Sequence, residues 1–155
     1  MPTLIVLRHS KAVSPLGIAD IDRPLAPRGR KDAGQVGEEL RAANRVPDRV
    51  ICSTSLRTRQ TLDGLALDAP VDFEARVYDN DAEEILDLLR GQDDDADTLL
   101  LVGHNPSMQQ LVLGLTGAGA DHFPTSATAV IEFDGGWDDL WTGVGRLVSL
   151  WTPRG

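Results

Sequence analysis

The chain has 155 residues, of which 41% are apolar and 25% charged, and a formal net charge of −9. That balance excludes a disordered, collagenous or coiled-coil protein, and the acidity speaks against nucleic acid or an anionic membrane as partner. The single cysteine, Cys52, rules out an intrachain disulfide and a cysteine-based zinc site.

The first element is the run Thr3-Leu4-Ile5-Val6-Leu7, continuously apolar after its first residue. It reads as a strand buried on both faces, as in a parallel sheet. It is too short for a signal peptide and is followed at once by Arg8 and His9. No apolar run approaches a membrane span, so one cytoplasmic domain over residues 1–155 is expected. Residues 13–29 hold Pro15, Gly17, Pro24, Pro27 and Gly29 and read as a long loop, of the kind that often carries function. A helix is expected from about Arg30 to Asn44, with Ala33, Val36, Gly37 and Leu40 on one face.

Pro47 and Asp48 turn the chain into a second strand, Arg49 to Ser53. Leu56 to Leu67 reads as helix, Val71 to Tyr78 as extended, and Ala82 to Arg90 as a helix stopped by Gly91. Gln92 to Asp97 is an acidic loop, and Thr98 to Val102 another all-apolar strand. Pro106 suits a first helical position, with that helix running to about Thr116. After a loop over 117–124, Ala127 to Phe133 and Arg146 to Trp151 read as late strands. Strands alternating with helices predict an α/β fold, a three-layer αβα sandwich with a mainly parallel central sheet.

In such sheets ligands bind beyond the carboxyl ends of the strands. After the first strand come Arg8, His9, Ser10 and Lys11; after the second, Ser53 to Ser55 and then Arg57 and Arg59; after the strand ending at Val102, Gly103, His104 and Asn105. Two histidines and at least two arginines therefore meet one rim on which carboxylates are scarce. Guanidiniums grip phosphoryl oxygens bidentately, and a neutral imidazole is a good nucleophile towards phosphorus. Neighbouring arginines hold such an imidazole neutral. The transition state of phosphoryl transfer spreads charge over oxygens that fixed donors can stabilise, so no metal or cofactor is called for. Each motif alone has an innocent explanation as a turn, a cap or a solvated helix residue. The three together, each after an apolar strand, do not.

These residues resemble the histidine phosphatase superfamily. Leu7-Arg8-His9 resembles its N-terminal signature, and Cys52 to Thr61 its second phosphate-binding motif, in which the arginine three residues before Gln60-Thr61 is Arg57, not Arg59. Val102-Gly103-His104-Asn105-Pro106 resembles the third. The short length, Arg8-His9-Ser10-Lys11, Asp22-Arg23-Pro24-Leu25 with Arg28-Gly29, and Phe123 to Ala127 resemble the branch of small SixA-like phosphohistidine phosphatases. The resemblance implies His9 as phosphoacceptor, with Arg8, Arg57 and His104 as phosphate ligands. Asn105 and Lys11 are further candidates for binding substrate.

Larger members of that family carry an acidic proton donor between the second and third motifs. Asp79, Asp81 and Glu83 are the nearest candidates here, and Asp79 is favoured as following the extended stretch directly; capping the helix near Ala82 is its other reading. The expected activity is a metal-independent phosphatase acting on phosphohistidine in a protein. The alternatives are a phosphatase of small phosphate monoesters and an inactive phosphate-binding module. Cys52 is read as a buried small hydrophobe, because Thr58 stands where a Cys-x5-Arg phosphatase needs arginine. Asp20-Ile21-Asp22, Asp93 to Asp97, His122 and the three tryptophans are not read as sites.

Overall fold

A computed structural model describes residues 1–79, 81–119 and 121–154. Six strands form one sheet in the order β3-β2-β4-β1-β5-β6. They are β1 (Thr3–Arg8), β2 (Arg49–Cys52), β3 (Val71–Phe73), β4 (Thr98–Gly103), β5 (Thr128–Glu132) and β6 (Arg146–Trp151). The helices are α1 (Pro27–Ala42), α2 (Leu56–Leu65), α3 (Ala75–Tyr78), α4 (Ala82–Arg90) and α5 (Ser107–Thr116). β1 to β4 are mutually parallel, while β5 runs antiparallel to both β1 and β6.

The continuous apolar runs are explained by layers on both faces. Leu4, Val6, Leu99 and Leu101 face a core closed by Ile85 and Leu89 of α4 and Met108, Leu111 and Leu115 of α5. Their neighbours Ile5, Leu7, Leu100 and Val102 face a second core, closed by Val36 and Leu40 of α1 and Leu62 and Leu65 of α2. A period of two thus feeds two cores, and polar alternation has no place in these strands. Each such side chain, wholly buried, contributes about 1.5–3 kcal/mol from apolar transfer.

α1 and α2 approach most closely at two glycines. A Cβ at Gly37 would lie 2.3 Å from the Leu65 carbonyl oxygen, and one at Gly64 would lie 2.7 Å from the Ala33 Cβ. At the start of α1, a Cβ on Gly29 would lie 2.1 Å from the Lys11 carbonyl oxygen.

The structure corrects several boundaries. α1 begins at Pro27, three residues earlier than periodicity suggests, so the loop ends at Ala26. That loop pairs Ala12 with Leu25 and makes a 3-10 turn at Asp20–Asp22. Val71 to Tyr78 is extended only to Phe73: the Glu74 side chain accepts from the Arg76 amide and starts α3, which buries Val77. Pro106 precedes α5 and is not its first residue. α2 ends at Leu65, where Ala66 adopts a left-handed conformation. The expected loop over 117–124 includes Ala120, which lies outside the described residues.

Candidate active site

The carboxyl ends of β1, β2 and β4 are neighbours, and the residues just beyond them meet. The His9 amide donates to the Gly103 carbonyl at 3.0 Å and the Ser53 amide to the Val102 carbonyl at 3.0 Å, which extends the ladder by one residue past each strand. His9 and His104 are 8% and 7% exposed, and their rings lie 5.3 Å apart, tilted by 56°.

His9 Nδ1 is 2.8 Å from the Ser10 carbonyl oxygen. A carbonyl only accepts, so Nδ1 carries the proton and Nε2 keeps its lone pair. Ser10 is itself fixed: its amide donates to Thr61 Oγ1 at 2.9 Å and its hydroxyl meets Ser126 Oγ at 2.6 Å. His104 Nε2 lies 2.8 Å from Ser53 Oγ. Tyr78 sets its ring edge-on to His104 at 5.5 Å.

Arg57 sits in the first turn of α2, which Ser55 caps by accepting from the Thr58 amide. It is 6% exposed. Arg59, two residues on, points elsewhere: it is exposed, stacks over Phe73 at 4.3 Å and donates to the Thr54 carbonyl. Arg8 donates through Nη1 to the Phe123 carbonyl at 3.2 Å. Three buried nitrogens, Arg8 Nε, Arg57 Nε and His104 Nδ1, have no hydrogen-bond partner.

Burial, then the fields of Arg57, Arg8 and Arg23, push the His9 imidazole down to about 4, against the opposing pull of the Ser10 carbonyl. Burial, then His9 and Arg57, push His104 down to about 3. Both rings are therefore neutral near pH 7. Burial raises the Cys52 thiol to about 12, so it is an inert core residue at the end of β2.

Asp20 is a feature that the sequence reading passed over. Its backbone carbonyl accepts from Arg57 Nη1 at 2.7 Å and its carboxylate from Arg57 Nη2 at 3.1 Å. The same carboxylate accepts from Tyr78 Oη at 2.7 Å and Arg23 Nη1 at 3.1 Å. These bonds hold it well below the usual carboxylate range, the tyrosine contributing most. In the sequence it stands in Asp20-Ile21-Asp22 within the loop, a stretch not read as a site.

Three other candidates are placed differently from the central four. The Asn105 amide donates to the Phe123 carbonyl at 2.8 Å, and its oxygen accepts from the Gln109 amide at 3.2 Å, so both ends pin local backbone. Lys11 is exposed, with its carbonyl bonded to the Ala26 amide. Asp79 is exposed at the end of α3; the cap of α4 is Asp81, whose side chain accepts from the Glu84 amide.

The family model for the histidine phosphatase superfamily (branch 1) matches residues 4–85, more than half of the chain. An uncharacterised protein of Mycobacterium tuberculosis is 40% identical over 158 residues, covering 96% of this chain and all of that one. A structure from Nakamurella multipartitia assigned as phosphohistidine phosphatase SixA superposes with a TM-score of 0.92 at 32% identity, over 99% of this chain and 97% of that one. One from Agrobacterium tumefaciens with the same assignment gives 0.86 at 26% identity, over 99% of both chains.

Proposed function

We propose that this chain, which belongs to the histidine phosphatase superfamily, removes phosphate from phosphohistidine on a protein by way of a phosphorylated His9. The observation that carries the reading is the set of three buried, unpartnered nitrogens on Arg8, Arg57 and His104. An orphaned buried donor costs about 1–3 kcal/mol, so three of them on residues at neighbouring strand ends support a site that an anion completes. Beside them stands a neutral imidazole whose Nε2 lone pair is free.

The chemistry balances without an added acid. His9 Nε2 attacks phosphorus as the bond from phosphorus to the substrate imidazole breaks. The substrate ring, protonated on its other nitrogen, leaves as neutral imidazole. His9 keeps its Nδ1 proton on the Ser10 carbonyl, so the phosphoenzyme carries a cationic ring, which is a good leaving group. Water then attacks phosphorus, the bond to Nε2 breaks, and inorganic phosphate departs with His9 neutral again. Arg8 and Arg57 neutralise the equatorial oxygens throughout. Ser53 Oγ accepts from the Ser55 amide at 3.4 Å and so is free to donate its proton to His104 Nε2. The His104 proton then sits on Nδ1, where it serves as a third donor to phosphate.

The test compares turnover of a phosphohistidine protein with a panel of small phosphate esters, with and without EDTA, and traps the enzyme under acid-free conditions. The phosphohistidine substrate should be preferred and EDTA should leave the rate unchanged. Label on the wild type should be acid-labile and alkali-stable, and His9→Ala should carry none. Label persisting in His9→Ala, or loss of activity on chelation restored by one divalent ion, would overturn the mechanism. Preference for an ester would move the assignment to the small-monoester reading.

A further inference from the structure

A cavity of about 500 Å³ opens beside the candidate active site, between the carboxyl end of β6, the start of α1 and the segment before β5. Arg28, His122, Pro124, Thr125, Thr152 and Arg154 are among its walls, and among the described residues no carboxylate lines it. In a chain of net charge −9 that is an unusual concentration of positive charge.

The charge is built in. Asp32, 3% exposed, lies behind the cavity and takes a fork from Arg154, with Nε at 3.1 Å and Nη2 at 2.9 Å. That engages two of the five guanidinium donors and leaves the rest free. Arg28 reaches Asp32 only at 3.8 Å, and its side chain is 53% exposed. Among the described residues the cluster sets two guanidiniums against one carboxylate, which leaves it one charge positive, and Asp32 fixes Arg154 in place.

The place of the cavity selects its ligand. Register puts Trp151 opposite Thr128 and Thr128 opposite Leu7, so the ends of β6 and β1 stand at one level. β5 alone separates them, which places the cavity two strand spacings from His9, about 10 Å. Its Pro124-Thr125 wall is continuous with site backbone: the Phe123 carbonyl holds Arg8, and the Ser126 amide donates to the Arg8 and His9 carbonyls, each at 3.1 Å. A small phosphate ester with its phosphorus at His9 does not span that distance. A polypeptide does, in about two to four extended residues.

We infer that this cavity is the recognition site for an acidic side chain two to four residues from the phosphohistidine of a protein substrate. The inference rests on the phosphohistidine reading above. The long-range field of the acidic body repels such a segment, and the basic cavity fixes where it docks and in which register.

The experiment measures kcat/KM on phosphohistidine peptides with acidic, neutral or basic residues at those positions, and on phosphoramidate, which has no flanks. The wild type should favour the acidic peptides. Arg28→Glu reverses the charge of a residue that meets Asp32 only at 3.8 Å, and its fold is checked by thermal melting. It should lower kcat/KM for acidic peptides about tenfold, mainly through KM, improve basic peptides, and leave phosphoramidate unchanged. Equal wild-type rates on all flanks, or an equal loss in Arg28→Glu on every substrate, would overturn the inference while the phosphohistidine reading stands. No wild-type turnover of any phosphohistidine substrate would overturn both.

Discussion

The ends of the parallel strands and the loop after β1 both reach Arg57, and they do so by opposite means. At the strand ends His9, Ser10, Ser53, Arg57 and His104 are all buried, and each is tied to a backbone that the sheet or a helix already fixes. In the loop, residues 13–22 are all exposed. Its hold on Arg57 is one residue, Asp20, through a carbonyl and a carboxylate. Buried and over-determined groups keep their geometry when substrate arrives; an exposed loop held by a few polar contacts can adapt. Under the proposed function, chemistry falls to the strand ends and adaptation to the loop.

The comparison breaks most visibly at α2. Arg57→Ala should cost about 2–4 kcal/mol of transition-state stabilisation, and Arg59→Ala far less, since Arg59 lies over Phe73. Steady-state kinetics on both variants decides it; equal losses would mean that the buried position of Arg57 has no catalytic meaning.

The strand ends should also be visible in stability. His9 and His104 are held near 4 and 3 in the folded chain, against an ordinary 6.5. Between pH 6.5 and those values the unfolded chain binds protons that the folded chain refuses. Their stabilisation is therefore fully present above about pH 6.5 and is lost as pH falls, at about 1.4 kcal/mol per unit for each ring. Denaturant titrations from pH 7 to 5 should show the slope, and His9→Ala should reduce it. An NMR midpoint near 6.5 for either ring would contradict the burial argument.

On the loop side, Asp20→Asn removes the anion from Arg57 and keeps the backbone carbonyl bond. Inhibition by inorganic phosphate should then tighten by a few-fold, an exposed ion pair being worth about 0–1 kcal/mol. Unchanged inhibition would show that Asp20 does not compete with phosphate for Arg57. The smallest effect is expected at Asp79. Asp79→Asn should leave phosphohistidine turnover within a few-fold, because imidazole needs little protonation to leave, while any alkyl ester activity should fall by roughly a hundredfold if Asp79 is its acid. Rates for the two substrate classes, measured side by side, separate these cases.

How far the sequence could be read follows the same division. Leu4–Leu7 and Leu99–Val102 announce strands buried on both faces, and polar residues just beyond a buried strand point to the rim of the sheet. The meeting of His9, Arg57 and His104 at that rim was legible for that reason. Val71 to Tyr78 was not, because its valines and aromatics favour a strand, whereas the Glu74 cap and the burial of Val77 turn its second half into helix. α1 was begun too late because Pro27 and Gly29 look like loop residues, although Pro27 opens the helix and Gly29 lets it touch the Lys11 carbonyl. Asp20 escaped because it meets Arg57 across 37 positions, through a loop whose path no periodicity encodes.

The backbone contact at Gly37 sets a mechanical tolerance. α1 bears on the Leu65 end of α2 with no compressible side chain between them, and α2 carries Arg57 at its other end. A methyl group at position 37, 2.3 Å from the Leu65 oxygen, has no rotamer by which to give way. The whole α2 rod would have to back off by roughly 1 Å. A misplacement of that size at a catalytic group can cost about a hundredfold in rate. Gly37 therefore works as a datum surface, fixing where a distant guanidinium stands.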